Sequence, residues 1–202
     1  QVLCNGEYEF FESTHKCTGS HGYVNLNDAM TMSCNIFFYE AVQKIRLDNL
    51  AKRSKALFHG LPTGIDLPNE MKGRVPDRAY MNKLYGTDGW STGALLNISI
   101  GQGEVLVTPV QMIAYINTIA TYGNYNPIYI AKNEDRSAIS TSISKLTWKK
   151  INNYMRNVII DQNGTGRLSD PRISNLSIYG KTGTAENPHG EPHAWFIGYS
   201  DN

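Results

Sequence analysis

Gly180-Lys181-Thr182-Gly183-Thr184-Ala185-Glu186 is the stretch on which the reading of this chain turns. It follows the β-rich run from Ile173 to Tyr179 and leads into a Gly/Pro/His loop, so it reads as the end of a strand that carries chemistry. An ammonium, two hydroxyls and a position without a side chain succeed one another on one extended segment. A substrate backbone laid along it meets charge, hydrogen bonds and no steric wall. Taken alone, K-T-G is equally a Gly-kinked surface strand with one solvated lysine, so the surrounding chain has to decide.

Working outward, Ala194 to Ser200 reads as a second strand, and the compact loop between makes the pair a hairpin. Upstream, Leu146, Ile151, Tyr154, Met155, Val158 and Ile159 recur at helical spacing and stop before Asn163-Gly164. Thr108 as cap, Pro109 at the first helical position and Gly123 past the end predict a buried helix over 110–122. Leu95 to Ile100 and Pro127 to Ala131 read as short strands, the former equally as a buried extended loop, and Ile139 to Leu146 as a loop. Gly60 to Pro76 is rich in turn residues. Asp48 is placed to cap a helix over 50–58. Asn25 or Asn27 caps a short helix through Ala29 and Met30, and Phe37, Phe38, Ala41, Val42 and Ile45 form a helical stripe. Ser33 and Asn35 therefore fall at a junction between helices. Residues 1–21 show no periodicity and read as a loop or small insertion, leaving 22–202 as the motif-bearing part of one domain. Helices before a terminal hairpin predict an α+β fold, an antiparallel sheet with packed helices. A two-stranded hairpin is marginal alone, so the domain is expected to be incomplete at both ends.

The chain has 202 residues, 41% of them hydrophobic, and a net charge of +1, enough for one domain with a sizeable core. Nineteen Lys/Arg balance eighteen Asp/Glu without a like-charge run, which speaks against a nucleic-acid partner. No apolar run is long enough to span a bilayer. Cys4, Cys17 and Cys34 leave two readings open, a Cys4–Cys17 bridge in an oxidising compartment or three free thiols. Two of the cysteines with His15 or His21 would suggest zinc, but there is no C-x-x-C pair and no evident fourth ligand, so neither a metal nor a cofactor is expected. His189 and His193, with Gly190 and Pro192 between them, do not share a helix face. Asp66 and Glu70, in a Pro/Gly-rich stretch, read as turn hydrogen-bond acceptors.

Ser33-Cys34-Asn35 followed much later by Lys181-Thr182-Gly183-Thr184 resembles the S-x-N and K-T-G active-site motifs of penicillin-binding proteins and serine β-lactamases. Further stretches resemble the class B penicillin-binding proteins, the monofunctional peptidoglycan transpeptidases, in order and spacing. They are Thr63 to Pro68, Gly101-Gln102-Gly103 with Val107 to Met112, Gly164-Thr165-Gly166, and His193 to Tyr199. His21-Gly22 leading into Val24-Asn25-Leu26, and Phe37-Phe38-Tyr39, lean toward the elongation type, penicillin-binding protein 2. The resemblance runs from about Ser20 to Asn202.

That resemblance implies a serine acyl transfer that joins peptidoglycan stem peptides at D-Ala-D-Ala and is blocked by β-lactams. Ser33 would relay a proton and Asn35 hold the acyl-side peptide. Lys181 would supply positive potential, Thr182 and Thr184 bind the substrate carboxylate, and Gly183 permit close approach. The Thr184 N–H would be an oxyanion donor. The family's S-x-x-K nucleophile motif has two formal matches. Ser13-Thr14-His15-Lys16 is too close to Ser33 and abuts Cys17, and Ser142-Ile143-Ser144-Lys145 follows the S-x-N. The nucleophile is therefore expected from a preceding segment outside these residues, as is a membrane anchor that would hold the intact protein on the periplasmic side of the inner membrane. A glycosyltransferase and elongation-complex proteins are the partners implied. A β-lactamase or β-lactam sensor, and a non-catalytic scaffold, are the alternatives.

Overall fold

The computed structural model describes residues 1–87, 89–131, 137–187 and 189–201. The expected disorder of pattern at the start is in fact four short strands: β1 (Val2–Cys4), β2 (Glu7–Phe10), β3 (Ser13–Lys16) and β4 (Gly22–Val24). β1 pairs antiparallel with β4, and β2 with β3. The reading of residues 1–21 as a loop missed this because the β2–β3 turn has neither Gly nor Asn, and Phe11 itself takes the left-handed conformation at φ 53°. Tyr8 fixes the hairpin to the helix behind it. Its hydroxyl donates to Glu40 Oε1 at 2.7 Å and accepts from Gln43 Nε2 at 2.8 Å.

Helix α1 (Leu26–Thr31) begins at a capping box in which Asn25 and Asp28 satisfy each other's backbone N–H. Helix α2 (Asn35–Ile45) follows, with Ile36, Tyr39 and Val42 fully buried, so the stripe read from the sequence is rotated by about one position. Helix α3 (Leu47–Lys55) starts earlier than predicted. Asp48 does not cap it and instead accepts the Arg78 backbone N–H that opens helix α4 (Arg78–Tyr85). Leu95 to Ile100, expected as a strand, lies in helix α5 (Thr92–Ser99), which packs on α2. A six-residue apolar run cannot distinguish the two by period, and no neighbouring strand offers it a ladder.

Helix α6 (Pro109–Ala120) has the predicted start, with Thr108 and Gln111 closing a capping box. Gln111 also has a tertiary role. Fully buried, its amide nitrogen faces the carbonyls of Phe58, Leu61 and Lys72 at 3.2, 2.8 and 2.7 Å, tying the turn-rich 58–72 segment to the helix. In that segment Glu70 accepts from the Thr63 N–H and hydroxyl and the Gly64 N–H, and Asp66 from the Ile130 and Ala131 N–H groups. Pro127 to Ala131 therefore hangs on a carboxylate rather than forming the expected strand. The pairing here is instead between β5 (Asn124–Tyr125) and β6 (Ile139–Ser140), the latter inside a stretch expected to be loop.

Helix α7 (Lys145–Ile160), capped by Ser144, is the strut of the molecule. Asn157 donates to Asn27 of α1 at 2.8 Å, and Arg156 donates to the Ile178 carbonyl at 3.0 Å. That carbonyl belongs to β7 (Ser177–Ala185), which begins later than the expected Ile173 and pairs antiparallel with β8 (His193–Asp201) over its whole length. Beneath this hairpin Ile119, Trp148 and Met155 form a core against Met30, Tyr179 and Tyr199. The helix thus holds α1 and β7 at a fixed distance from each other. No helix among the described residues is long and apolar enough to cross a membrane.

Replacing Gln111 by Leu removes the buried amide that the Phe58, Leu61 and Lys72 carbonyls face and is expected to destabilise the fold by about 2–3 kcal/mol. A denaturant midpoint shift measured at constant m-value checks it.

Candidate active site

The end of α1 sets the first half of the site. The Met32 N–H bonds to the Asp28 carbonyl and the Cys34 N–H to the Ala29 carbonyl, both at 2.9 Å, which is the six-to-one closure of a Schellman cap. The residue in the left-handed position of that cap is Ser33, at φ 55°. Glycine ordinarily occupies it, because a Cβ there costs about 1 kcal/mol or more. A serine at this place spends stability to keep a side chain, and the turn aims it at β7.

There the Lys181 ammonium donates a hydrogen bond to the Ser33 hydroxyl, closing 148 residues of chain, and a second to the Thr182 carbonyl at 3.1 Å. Burial lowers the Lys181 pKa from its ordinary value to about 8. Among the described residues no carboxylate forms an ion pair with it. A desolvated ammonium without a counter-charge, in a cleft, is a place for an anionic ligand.

The strand register decides what else faces the cleft. The carbonyls of Thr182 and Thr184 accept side-chain bonds from Lys181 and Gln102, so both residues turn their backbone groups away from β8. The Thr184 N–H therefore points to the same open edge. Gln102 sits against that edge like one residue of a third strand, giving its amide to the Thr184 carbonyl at 2.8 Å and accepting the Glu186 N–H at 3.1 Å. At Gly183 an added Cβ would meet nothing closer than Trp195 Cβ at 3.5 Å. The fold tolerates a side chain there, so the bare position serves whatever lies along the strand.

Asn35, the other sequence-predicted residue, opens α2 and is held differently. Its backbone N–H donates to Cys17 Sγ at 3.2 Å and its amide to the Lys16 carbonyl at 3.3 Å. Of the residues predicted from sequence, the structure joins Ser33, Lys181 and Thr182 directly, holds Thr184 and Gly183 on the same strand edge, and places Asn35 on the adjoining turn. Of the two formal S-x-x-K serines, Ser13 lies on β3 and Ser142 lies before the α7 cap Ser144, so neither opens a helix.

Sequence reasoning missed Gln102 and Thr165 as members of the site, although Gly101-Gln102-Gly103 and Gly164-Thr165-Gly166 both stood out as motifs. It also missed a donor cluster. The three cysteines are free thiols. With His21 they place four ligand atoms within 4.8 Å of one another, Cys4 and Cys34 being buried. The expectation that no fourth ligand exists fails because strand pairing supplies it. The His21 N–H bonds to the Cys4 carbonyl at 3.0 Å and the Cys17 N–H to the Gly6 carbonyl at 2.9 Å, while Cys34 arrives from the start of α2.

Cys4 Sγ and Cys17 Sγ stand 3.3 and 3.6 Å from His21 Nδ1, and Cys17 Sγ 3.9 Å from Cys34 Sγ. The edges of a tetrahedron with Zn–S bonds of about 2.3 Å measure about 3.8 Å, so the set fits zinc. Burial lowers the His21 pKa, which favours the neutral imidazole a metal needs. Burial also raises the Cys34 thiol to about 12, the neighbouring thiols adding to it. Burial alone would raise the Cys17 thiol as well, but the N–H groups of Ile36, Gly19 and Asn35 outweigh it and hold the thiol below its ordinary value. Because Cys34 lies between Ser33 and Asn35, whatever these four residues hold also fixes that turn.

The family model for the penicillin binding protein transpeptidase domain matches residues 5–202. The peptidoglycan D,D-transpeptidase MrdA of Haemophilus influenzae is 28% identical over 211 residues, covering 92% of this chain and 32% of that protein. Its counterpart in Acinetobacter baumannii is 30% identical over 182 residues, covering 85% of this chain and 26% of that protein. The solved penicillin-binding protein PBP2 of Helicobacter pylori superposes with a TM-score of 0.90 at 30% identity, over 98% of this chain and 38% of that one. The same protein in complex with MreC gives 0.89, at the same identity and coverage. The chain thus spans about a quarter to two fifths of the length of these proteins.

Two outcomes are expected at this site. Ser33→Ala and Ser33→Gly both remove the hydroxyl, but only alanine retains the left-handed strain, so the glycine variant should be the more stable by about 1 kcal/mol in thermal unfolding. Protein refolded with zinc should carry about one equivalent through the Cys4/Cys17/His21/Cys34 set; Cys17→Ser should lose it, and chelation should lower Tm by about 5 °C.

Proposed function

The chain belongs to the penicillin-binding protein transpeptidase domain family, and from that premise we propose that it carries out serine acyl transfer in the cross-linking of peptidoglycan, as part of an elongation-type class B enzyme. The observation that carries the proposal is the Lys181–Ser33 hydrogen bond beside an open strand edge. In this reading a serine from a part of the protein outside residues 1–202 attacks the carbonyl of the D-Ala-D-Ala amide. The ester forms, D-Ala departs as the free amine, and the amine of a neighbouring stem peptide then takes the acyl group.

Each named residue has a task in that sequence. The Ser33 hydroxyl, able to give and to accept, passes a proton to the departing amine and takes one from the arriving amine. Lys181, which has no carboxylate partner among the described residues, attracts the substrate's terminal carboxylate, to which Thr182 and Thr184 donate. The Thr184 N–H, aimed at the open edge, binds the developing oxyanion, a contact worth about 3 kcal/mol in comparable reactions. Gly183 lets the substrate backbone lie against the strand, and Asn35 holds the acyl-side peptide.

β-Lactams, which place a carboxylate and a strained amide in the same relation, are expected to acylate the intact protein and to leave it slowly. Rapid release of hydrolysed antibiotic would favour a β-lactamase or sensor instead. The likeness to a PBP2 solved with MreC supports a place in the elongation complex, with a glycosyltransferase as partner and the periplasmic side of the inner membrane as location.

The test is covalent labelling of the full-length protein by a fluorescent penicillin. The Lys181 pKa, lowered to about 8, sets a sign: the ammonium is charged below that pH and neutral above it, so acylation by a carboxylate-bearing penicillin should fall as pH rises through about 8. Lys181→Arg, charged throughout this range, should flatten the fall. Lys181→Ala should slow acylation by about a hundredfold. Normal labelling of the alanine variant would remove Lys181 from the mechanism.

A further inference from the structure

The roles above leave the 164–166 turn unexplained, yet the structure is specific about it. A Cβ on Gly164 would stand 2.4 Å from the Val158 carbonyl oxygen, so that glycine is required by contact with the last turn of α7, and one on Gly166 would press on Ile159 Cδ1 at 2.8 Å. The Thr165 N–H bonds to the Thr31 carbonyl at 3.1 Å, fixing the turn against the end of α1. Between these two glycines Thr165 carries a side chain. It reaches the cleft, with Thr165 Oγ1 3.3 Å from Ser33 Oγ and 2.7 Å from Thr182 Oγ1. The Thr31 carbonyl lies farther off, at 3.5 Å.

We propose that Thr165 is a positioning residue that couples occupancy of the carboxylate subsite at Thr182 to the proton on Ser33. The inference rests on the acyl-transfer reading of this site. A hydroxyl has one proton to give and two lone pairs, and a carboxylate can only accept. When a carboxylate sits on Thr182, the Thr182 proton must go to it. Thr182 Oγ1 is then an acceptor for Thr165, whose proton points along the 2.7 Å contact. Thr165 Oγ1 in turn accepts from Ser33, whose proton is thereby drawn away from the reacting centre while Lys181 donates to the same oxygen. The remaining Ser33 lone pair faces the reacting centre, where it takes the proton released by the attacking serine, and the hydroxyl then hands a proton on to the departing amine. Without the carboxylate nothing fixes the direction of this chain of hydroxyls. Substrate binding at one end therefore prepares the relay at the other, with no backbone movement.

The experiment compares acylation rates of the full-length protein by benzylpenicillin and by its methyl ester, in which the carboxylate is masked. The wild-type protein should prefer the acid. Thr165→Val, which keeps the shape and removes the hydroxyl, should slow the acid about tenfold and leave the ester rate within about twofold, collapsing the preference. Thr165→Ser should restore it. If Thr165→Val does not fold, Thr165→Ala gives the same ratio without the branched side chain. Equal slowing of acid and ester, or no slowing of either, overturns the coupling while the acyl-transfer reading stands. Failure of the wild-type protein to be acylated by either compound overturns that reading itself.

Discussion

A largely desolvated ammonium hydrogen-bonded to one serine hydroxyl, with no carboxylate among the described residues to neutralise it, is the constraint around which this structure is arranged. Removing a charge from water without pairing it is expensive, and the cost appears here as a lysine pKa lowered to about 8. The fold supports that cost by rigidity. Helix α7 is tied on one side to α1, which carries Ser33, and on the other to β7, which carries Lys181, so the two groups cannot drift apart into solvent. The ammonium is then held in place on the open edge of the strand.

The same economy governs the residues around it. Ser33 occupies the left-handed cap position that glycine would fill at lower cost, and Gly183 occupies a strand position that the fold would let a larger residue fill. Each departs from the locally favoured choice in the direction that a substrate requires: a side chain where the backbone prefers none, and none where the strand would accept one. Gln102 closes part of the strand edge with its own amide and leaves the Lys181-to-Thr184 portion open. Local rules broken together at one place mark a functional site more firmly than any one of the residues does.

The turn that bears Ser33 is held from behind as well. Cys34 lies between the two motif residues and faces Cys4, Cys17 and His21, while the Asn35 N–H rests on Cys17 Sγ. The strands of residues 2–24 serve this purpose. They are too short to form a core of their own, but their pairing carries three donor atoms to the back of the turn. The position of the Ser33 hydroxyl thus depends on two supports, the helix cap in front and the thiol cluster behind.

Features set by neighbours in the chain were legible in the sequence: the cap at Thr108, a cap at Asn25 or Asn27 of which the structure selects Asn25, helix α7, the hairpin that carries Lys181, and Ser33 at a helix junction. Caps, turns and periodic stripes act over a few residues, and residue type alone reports them. Other features were decided only in three dimensions. Leu95 to Ile100 became helix because packing on α2, not its own pattern, chose its period. Gln102, Thr165 and the four-ligand set acquire meaning from groups far away in the chain, and neither hydrogen bonds nor thiolate geometry leave a local signature when the partner is distant. Sequence by itself picked out Ser33, Asn35 and the Lys181-to-Thr184 strand, and tertiary structure decided which of their atoms face one another, because a hydrogen bond is a matter of ångströms that residue spacing cannot express.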